Sequence, residues 1–135
     1  MLSIEDILEI QQLVNLYGHI IDERQYSRVC ELFTEDALYD MSDFASGVHR
    51  GTAAIAALWA SAGAKHPLAH HATNIVVSAD PDGTVRVISK GMGVRKDGTV
   101  GTVVYRDVVN RMANGWRITE RVAIRRRAEI IPAPS

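Results

Sequence analysis

Apolar residues near the N-terminus recur at spacings of three and four: Ile7, Ile10, Leu13, Val14, Tyr17, Ile20 and Ile21. That period predicts one stripe of an amphipathic helix. Ser3 stands three residues before Asp6, the pattern of a capping box, and fixes the start. The polar run Asp22-Glu23-Arg24-Gln25 ends the stripe. A shorter helix is predicted next, with Tyr26, Val29, Cys30 and Phe33 on one face. Ala37-Leu38-Tyr39-Asp40 reads as a brief strand, and the polar stretch through Gly47 and Gly51 reads as a loop. A third helix is expected from Thr52 through Ile55, Leu58 and Trp59 to a stop near Gly63.

From His70 the period changes to two. Ile75, Val77 and Ala79 alternate, and Asp80-Pro81-Asp82-Gly83 makes a turn. Val85, Val87 and Ser89 alternate as far as Gly91-Met92-Gly93, and Lys96-Asp97-Gly98 turns the chain again. The next strand places Val103, Tyr105, Asp107 and Val109 on one face and Val104, Arg106 and Val108 on the other. Asn114-Gly115 is a hairpin signal. The last strand is expected from Trp116 to about Ile131, followed by a frayed Pro-Ala-Pro-Ser tail. Helices followed by strands joined through short turns predict an α+β fold with an antiparallel meander. The last two strands are apolar on both faces, which predicts that helices cover one face and a partner subunit the other.

Composition narrows the functions open to such a fold. The chain has 135 residues, the usual size of one domain, with 15 basic and 16 acidic side chains and a net charge of −1. No basic stripe marks a nucleic-acid footprint, and no apolar run approaches the length of a membrane span. Arg125-Arg126-Arg127 reads as a solvated or oligomer-facing strand, with an anion-binding role as the other reading. Cys30 is the only cysteine, so no intrachain disulfide can form. No export signal opens the sequence, and the cytoplasm is the expected compartment. No phosphate-binding glycine loop or nucleophile elbow is found, so no cofactor is expected. His66, His70 and His71 make a poor metal set, because Pro67 interrupts any helix that would align His66 with His70. No metal is expected. His19 and His49 read as a helix-surface and a loop residue.

Five short elements occur in order: Tyr17-Gly-His-Ile-Ile-Asp22, Glu31-Leu-Phe-Thr-Glu-Asp-Ala37, Arg50-Gly51, His70-His-Ala-Thr-Asn74 and Gly115-Trp-Arg-Ile-Thr-Glu-Arg121. Together they resemble the SnoaL-like domains of the nuclear transport factor 2 superfamily, over nearly the whole chain. The resemblance implies one such domain over residues 1–135, a cone-shaped α+β barrel whose mouth admits a small apolar ligand. The nearest branch is that of scytalone dehydratase, the lindane dehydrochlorinase and the bile-acid 7α-dehydratase, whose members use an Asp–His dyad. By that resemblance the dyad falls on Asp22 and His70, the pocket arginine on Arg121 and a pocket tyrosine on Tyr17. It also implies a homo-oligomer, a trimer rather than a dimer.

An imidazole oriented by a carboxylate can take a proton from carbon at neutral pH. Arg121 and Tyr17 would then stabilise developing negative charge, and loss of water is the reaction this set suits best. Phe33, Tyr39, Met41, Trp59 and Met92 are candidate substrate contacts. The expected activity is therefore a cofactor-independent lyase acting on a small hydroxylated or carbonyl compound. A non-catalytic binding domain or oxygenase accessory subunit is the alternative from another class. A ketosteroid-isomerase-like isomerase, with Asp22 as base, or a polyketide cyclase is a third.

Three points stay open in the sequence. His71 competes with His70 for the pocket. Tyr17 lies about 140° around an ideal helix from Asp22, so the two do not share a face. Strict alternation puts Arg121 with Arg117 and Arg125, opposite Trp116 and Ile118, so that either a bulge changes the register or the apolar face lies between subunits.

Overall fold

The computed structural model describes residues 1–135, with side-chain placement for all but Ala64. Helix α1 spans Ile4–Asp22. Its capping box is made: the Asp6 N–H donates to Ser3 Oγ, and the Ser3 N–H donates to the Asp6 carboxylate. At its far end the Gln25 N–H donates to the Ile20 carbonyl and the Arg24 N–H to that of Ile21, with Arg24 at φ 54°. This Schellman closure keeps Asp22 in the last helical turn instead of unwinding it. The short helix expected next is a 3₁₀ helix, Tyr26–Glu31. Phe33 starts a strand instead, and Cys30 is exposed, so neither joins the face predicted for them.

Strand β1 runs Phe33–Met41, longer than its apolar signal, and the segment read as a loop holds β2, Gly47–Arg50. Helix α2, Thr52–Ala62, is followed by β3 (Ala69–Ala79), β4 (Val85–Val94), β5 (Val100–Met112) and β6 (Gly115–Arg125). The last strand stops at Arg125, short of Ile131; Ala128–Ile130 forms a 3₁₀ turn. The six strands make one curved sheet in the order β2-β1-β6-β5-β4-β3. Neighbours are antiparallel except β1 and β6, which are parallel. The sheet does not close: β2 and β3 are free edges, so the cone is open on one side.

Two β-bulges decide which side chains enter the interior. In β3 the pairing shifts between Thr73 and Val76, with Asn74 in the left-handed region at φ 54°. Asparagine tolerates that conformation better than most residues. The inserted residue lets His70 and Ala72 on one side of it, and Ile75 and Val77 on the other, share the inner face. In β6, Val108 pairs with Glu120 while Val109 pairs with Ile118, leaving Thr119 as the extra residue. Trp116 and Ile118 before it, and Arg121 and Ala123 after it, are all buried. A bulge is therefore what turns Arg121 inward.

The core lies between α1 and the inner sheet face, joining Ile10, Val14 and Ile20 to Val87, Val109 and Ile118. The outer face is also apolar. Val104 of β5 is flanked by Ile124 and Lys90, and Ile88 and Val76 beside them are 45% and 58% exposed. Enclosing this face in a homo-oligomer, a trimer by the family resemblance, is the expected solution state. Light scattering at micromolar concentration should give a multiple of the 14.8 kDa chain mass; a monomer mass would exclude the assembly. Among the described residues no helix is long and apolar enough to cross a membrane.

Candidate functional site

The end of α1 and the start of β3 meet at one pair of residues. His70 Nδ1 lies 2.6 Å from Asp22 Oδ1, and the His70 backbone N–H donates to both carboxylate oxygens, at 2.9 and 3.1 Å. The carboxylate accepts only, so in the neutral imidazole the proton sits on Nδ1 and Nε2 keeps its lone pair. Both side chains are largely covered, at 14% and 21% exposure. Asp22 stands behind the imidazole and is not on the cavity wall, whereas His70 is. This resolves the helical-wheel conflict. Tyr17 faces the cavity, Asp22 grips the flank of His70, and the two need not share a face. His71 is exposed on the opposite side of the strand.

A glycine makes this meeting possible. A Cβ on Gly18 would sit 2.4 Å from the His70 carbonyl oxygen, far inside contact distance. Gly18→Ala must push α1 away from β3. We expect a loss of about 1–3 kcal/mol in denaturant unfolding and a longer Asp22–His70 contact, read as a changed imidazole signal in NMR. An unchanged unfolding midpoint and signal would show that the helix has slack there.

Tyrosines line the region beside the imidazole. Tyr17 and Tyr39 share a hydrogen bond of 2.9 Å between hydroxyls. The Tyr17 ring is edge-on to both His70, at 6.3 Å, and Tyr105, at 5.7 Å. Gly91 gives Tyr105 its room, since a Cβ there would lie 2.3 Å from the phenol ring. Burial, reinforced by the neighbouring phenols, holds the Tyr17 hydroxyl well above its ordinary pKa, and burial likewise raises Tyr39 and Tyr105. All three are neutral hydrogen-bonding groups at physiological pH.

Arg121 lies beneath these rings, off the cavity wall. It is fully buried and makes a two-pronged contact with Asp107, Nε to Oδ1 and Nη2 to Oδ2, each 2.8 Å. Its guanidinium carbon is 4.5 Å from the Tyr17 ring centre and 4.2 Å from that of Tyr105. Burial works against its charge, but the Asp107 carboxylate outweighs burial, and its pKa moves up. Arg121 therefore meets the tyrosine rings of the cavity and does not itself form part of its wall. Its Nη1 and the Trp59 indole N–H find no acceptor among the described residues.

The cavity measures about 540 Å³, the size of a small-molecule site. Of the proposed contacts, Tyr39, Met41, Trp59 and Met92 are on its wall. Phe33 is not; its ring backs Tyr39 and Trp59, at 5.7 and 6.1 Å between centres. The wall also includes Tyr105, His66 and Arg95, none of them a substrate contact expected from residue order. His66 stacks edge-on to His70 at 5.1 Å, and burial and then His70 hold its pKa below the ordinary value. Among the described residues, no group of three or more His, Cys, Asp or Glu is spaced to hold a metal ion.

The SnoaL-like domain family matches residues 2–122, which include Tyr17, Asp22, His70, Tyr105, Asp107 and Arg121. The chain belongs to that family. Solved structures agree with the SnoaL-like assignment. A Novosphingobium aromaticivorans protein described as an aromatic ring hydroxylase is 29% identical, covering 98% of this chain and 94% of its own, with a TM-score of 0.74. A second protein of that organism, described as NTF2-like with a cystatin-like fold, is 28% identical over 90% of this chain and 82% of its own, with a TM-score of 0.72. A third, described as a scytalone dehydratase, is 19% identical over 90% of this chain and 84% of its own, with a TM-score of 0.69, and supports the fold alone. No curated protein matches the sequence.

Proposed function

We propose that this SnoaL-like domain is a cofactor-independent lyase that removes water from a small, largely apolar hydroxylated or carbonyl compound. The observation that carries the reading is the His70 imidazole, held by Asp22 at Nδ1, on the cavity wall, with no hydrogen-bond partner at Nε2 among the described residues. In the proposed reaction Nε2 takes a proton from carbon next to a carbonyl, and the electron pair moves onto the carbonyl oxygen. Asp22 stabilises the imidazolium. The pair then returns to form a carbon–carbon double bond as the β-hydroxyl leaves, and the proton on Nε2 passes to it, so that water departs. The Tyr17–Tyr39 hydroxyl pair has one proton left over from the bond between them, and donates it to the enolate-like oxygen. The Arg121 cation beneath Tyr17 makes that phenol a stronger donor.

The isomerase-like reading, with Asp22 as base, is less favoured because both Asp22 oxygens are engaged by His70 and neither faces the cavity. The likeness to a protein described as an aromatic ring hydroxylase favours a second reading, an accessory or binding role toward aromatic ligands. The deciding experiment is a screen of hydroxylated, carbonyl-bearing alicyclic and aromatic compounds, with nothing else supplied, following loss of water by mass spectrometry. Turnover of one class is expected. Tight binding without turnover, or copurification with a larger iron-containing chain, would replace the lyase by the second reading.

A further inference from the structure

The cavity wall carries an unbalanced charge. Lys65, Arg95, Arg125 and Arg126 all contribute to it, and among the described residues no aspartate or glutamate does. The chain as a whole is slightly acidic, at net −1, so this concentration is local. Elsewhere Arg28, Arg86, Arg111 and Arg127 each reach a carboxylate. Among the described residues none of the four wall cations does. Arg127 takes the side chain of Asp43, while Arg125 takes only a backbone contact from it, the Arg125 N–H donating to Oδ2 at 2.7 Å. Arg125 instead lies 5.7 Å from the Phe44 ring, on the same wall.

Arg95 is held in place from two sides. Its Nη1 donates to Thr99 Oγ1 at 3.3 Å, and that hydroxyl donates onward to Asp97. A Cβ on Gly101 would lie 2.6 Å from Arg95 Nη2, so the guanidinium rests directly against the β5 backbone. The deep part of the cavity, around Tyr17, Tyr39, Trp59 and Tyr105, is aromatic and buried, and the four cations are exposed. Like charges gathered at the exposed end of a cavity focus the field on an anion entering it.

We infer that the ligand of this site is an amphipathic carboxylate, its apolar body among the tyrosines and its carboxylate held by Arg95, Arg125 and Arg126. The inference rests on the cavity being the small-molecule site proposed above. Guanidinium groups pair with carboxylates through two parallel hydrogen bonds, which three arginines in one wall can offer in several orientations. In the lyase reading the carboxylate fixes which carbon is presented to His70.

The test is calorimetric binding of matched probes: naphthyl-, phenyl- and cyclohexylacetate against their neutral amides. At low salt the acid of at least one pair should bind about 5–30-fold more tightly than its amide. The gap should narrow as salt is raised. In the variant Arg125→Gln/Arg126→Gln, and further with Arg95→Gln, the acid should weaken about 1.5–3-fold per arginine while the amide is unchanged. Equal binding of acid and amide, equal weakening of both in the variants, or no binding of any pair overturns the inference. Because binding alone is read, this result stands or falls separately from the screen for loss of water.

Discussion

His70→Ala is expected to lower turnover of a dehydration substrate by about 10²–10⁴-fold, the usual contribution of a positioned general base. The fold should persist, because the side chain is on the cavity wall and the backbone contact to Asp22 remains available. Asp22→Asn should have a comparable effect for a different reason. An asparagine amide can donate to Nδ1, which would move the imidazole proton to Nε2 and point the wrong tautomer at the substrate. The double variant should be little worse than either single one, since both residues act through one proton transfer. Steady-state kinetics on the compound found in the screen measure all three. A His70→Ala protein turning over at the wild-type rate would sink the mechanism.

The largest effect on stability is expected at Asp107. Among the described residues its carboxylate is the one anionic partner of a fully buried guanidinium, so Asp107→Ala leaves an unpaired charge in the core. That situation destabilises by about 3–5 kcal/mol, a fall in Tm on the order of 10 °C or more for a chain of this size. Arg121→Lys should hurt less, since charge survives while the planar fork is lost. Replacing both partners, as Arg121→Met with Asp107→Leu, should recover most of the loss, because the cost lies in the unpaired charge. The recovered double variant separates two roles. If Arg121 supports the reaction by polarising the tyrosines above it, turnover stays low after stability returns. Scanning calorimetry and kinetics on the same samples decide it, and an Asp107→Ala protein melting like wild type would show that the core tolerates the lone cation.

Much of this was readable from residue order. The capping box at Ser3, the α1 stripe, the alternation in β4 and β5 and the hairpin signalled by Asn114-Gly115 follow from local rules, and each is present, the hairpin turning on Ala113 and Asn114 with Gly115 opening β6. The burial of Asp107 was also implied, because it shares a face with Val103, Tyr105 and Val109. A carboxylate on an apolar face demands a cation opposite, and Arg121 is its cross-strand partner. Strand β2, by contrast, has four residues and no strong alternation, and it exists because β1 offers an edge to pair with. The 3₁₀ form of Tyr26–Glu31 likewise reflects the need to end at Leu32 and enter β1 at Phe33.

What residue order determined by itself was the set of elements, the fold class and the residue types available for chemistry, since helical and strand periods are local properties of the chain. Which of those residues meet was decided by tertiary structure. Alternation placed His70 out of phase with Ile75 and Val77, and Arg121 out of phase with Trp116 and Ile118. A one-residue bulge, at Asn74 in β3 and at Thr119 in β6, turned each inward. A bulge moves every later side chain to the other face, and in β6, where Val122 and Ile124 are apolar as well as Ala123, the hydrophobic period does not decide whether the phase has changed. The approach of α1 to β3 at Gly18 depends on how a helix seats on a curved sheet, and so does the reach of Asp22 behind His70. The gathering of Lys65, Arg95, Arg125 and Arg126 joins the segment after α2 to the ends of β4 and β6, positions that only the strand order makes neighbours.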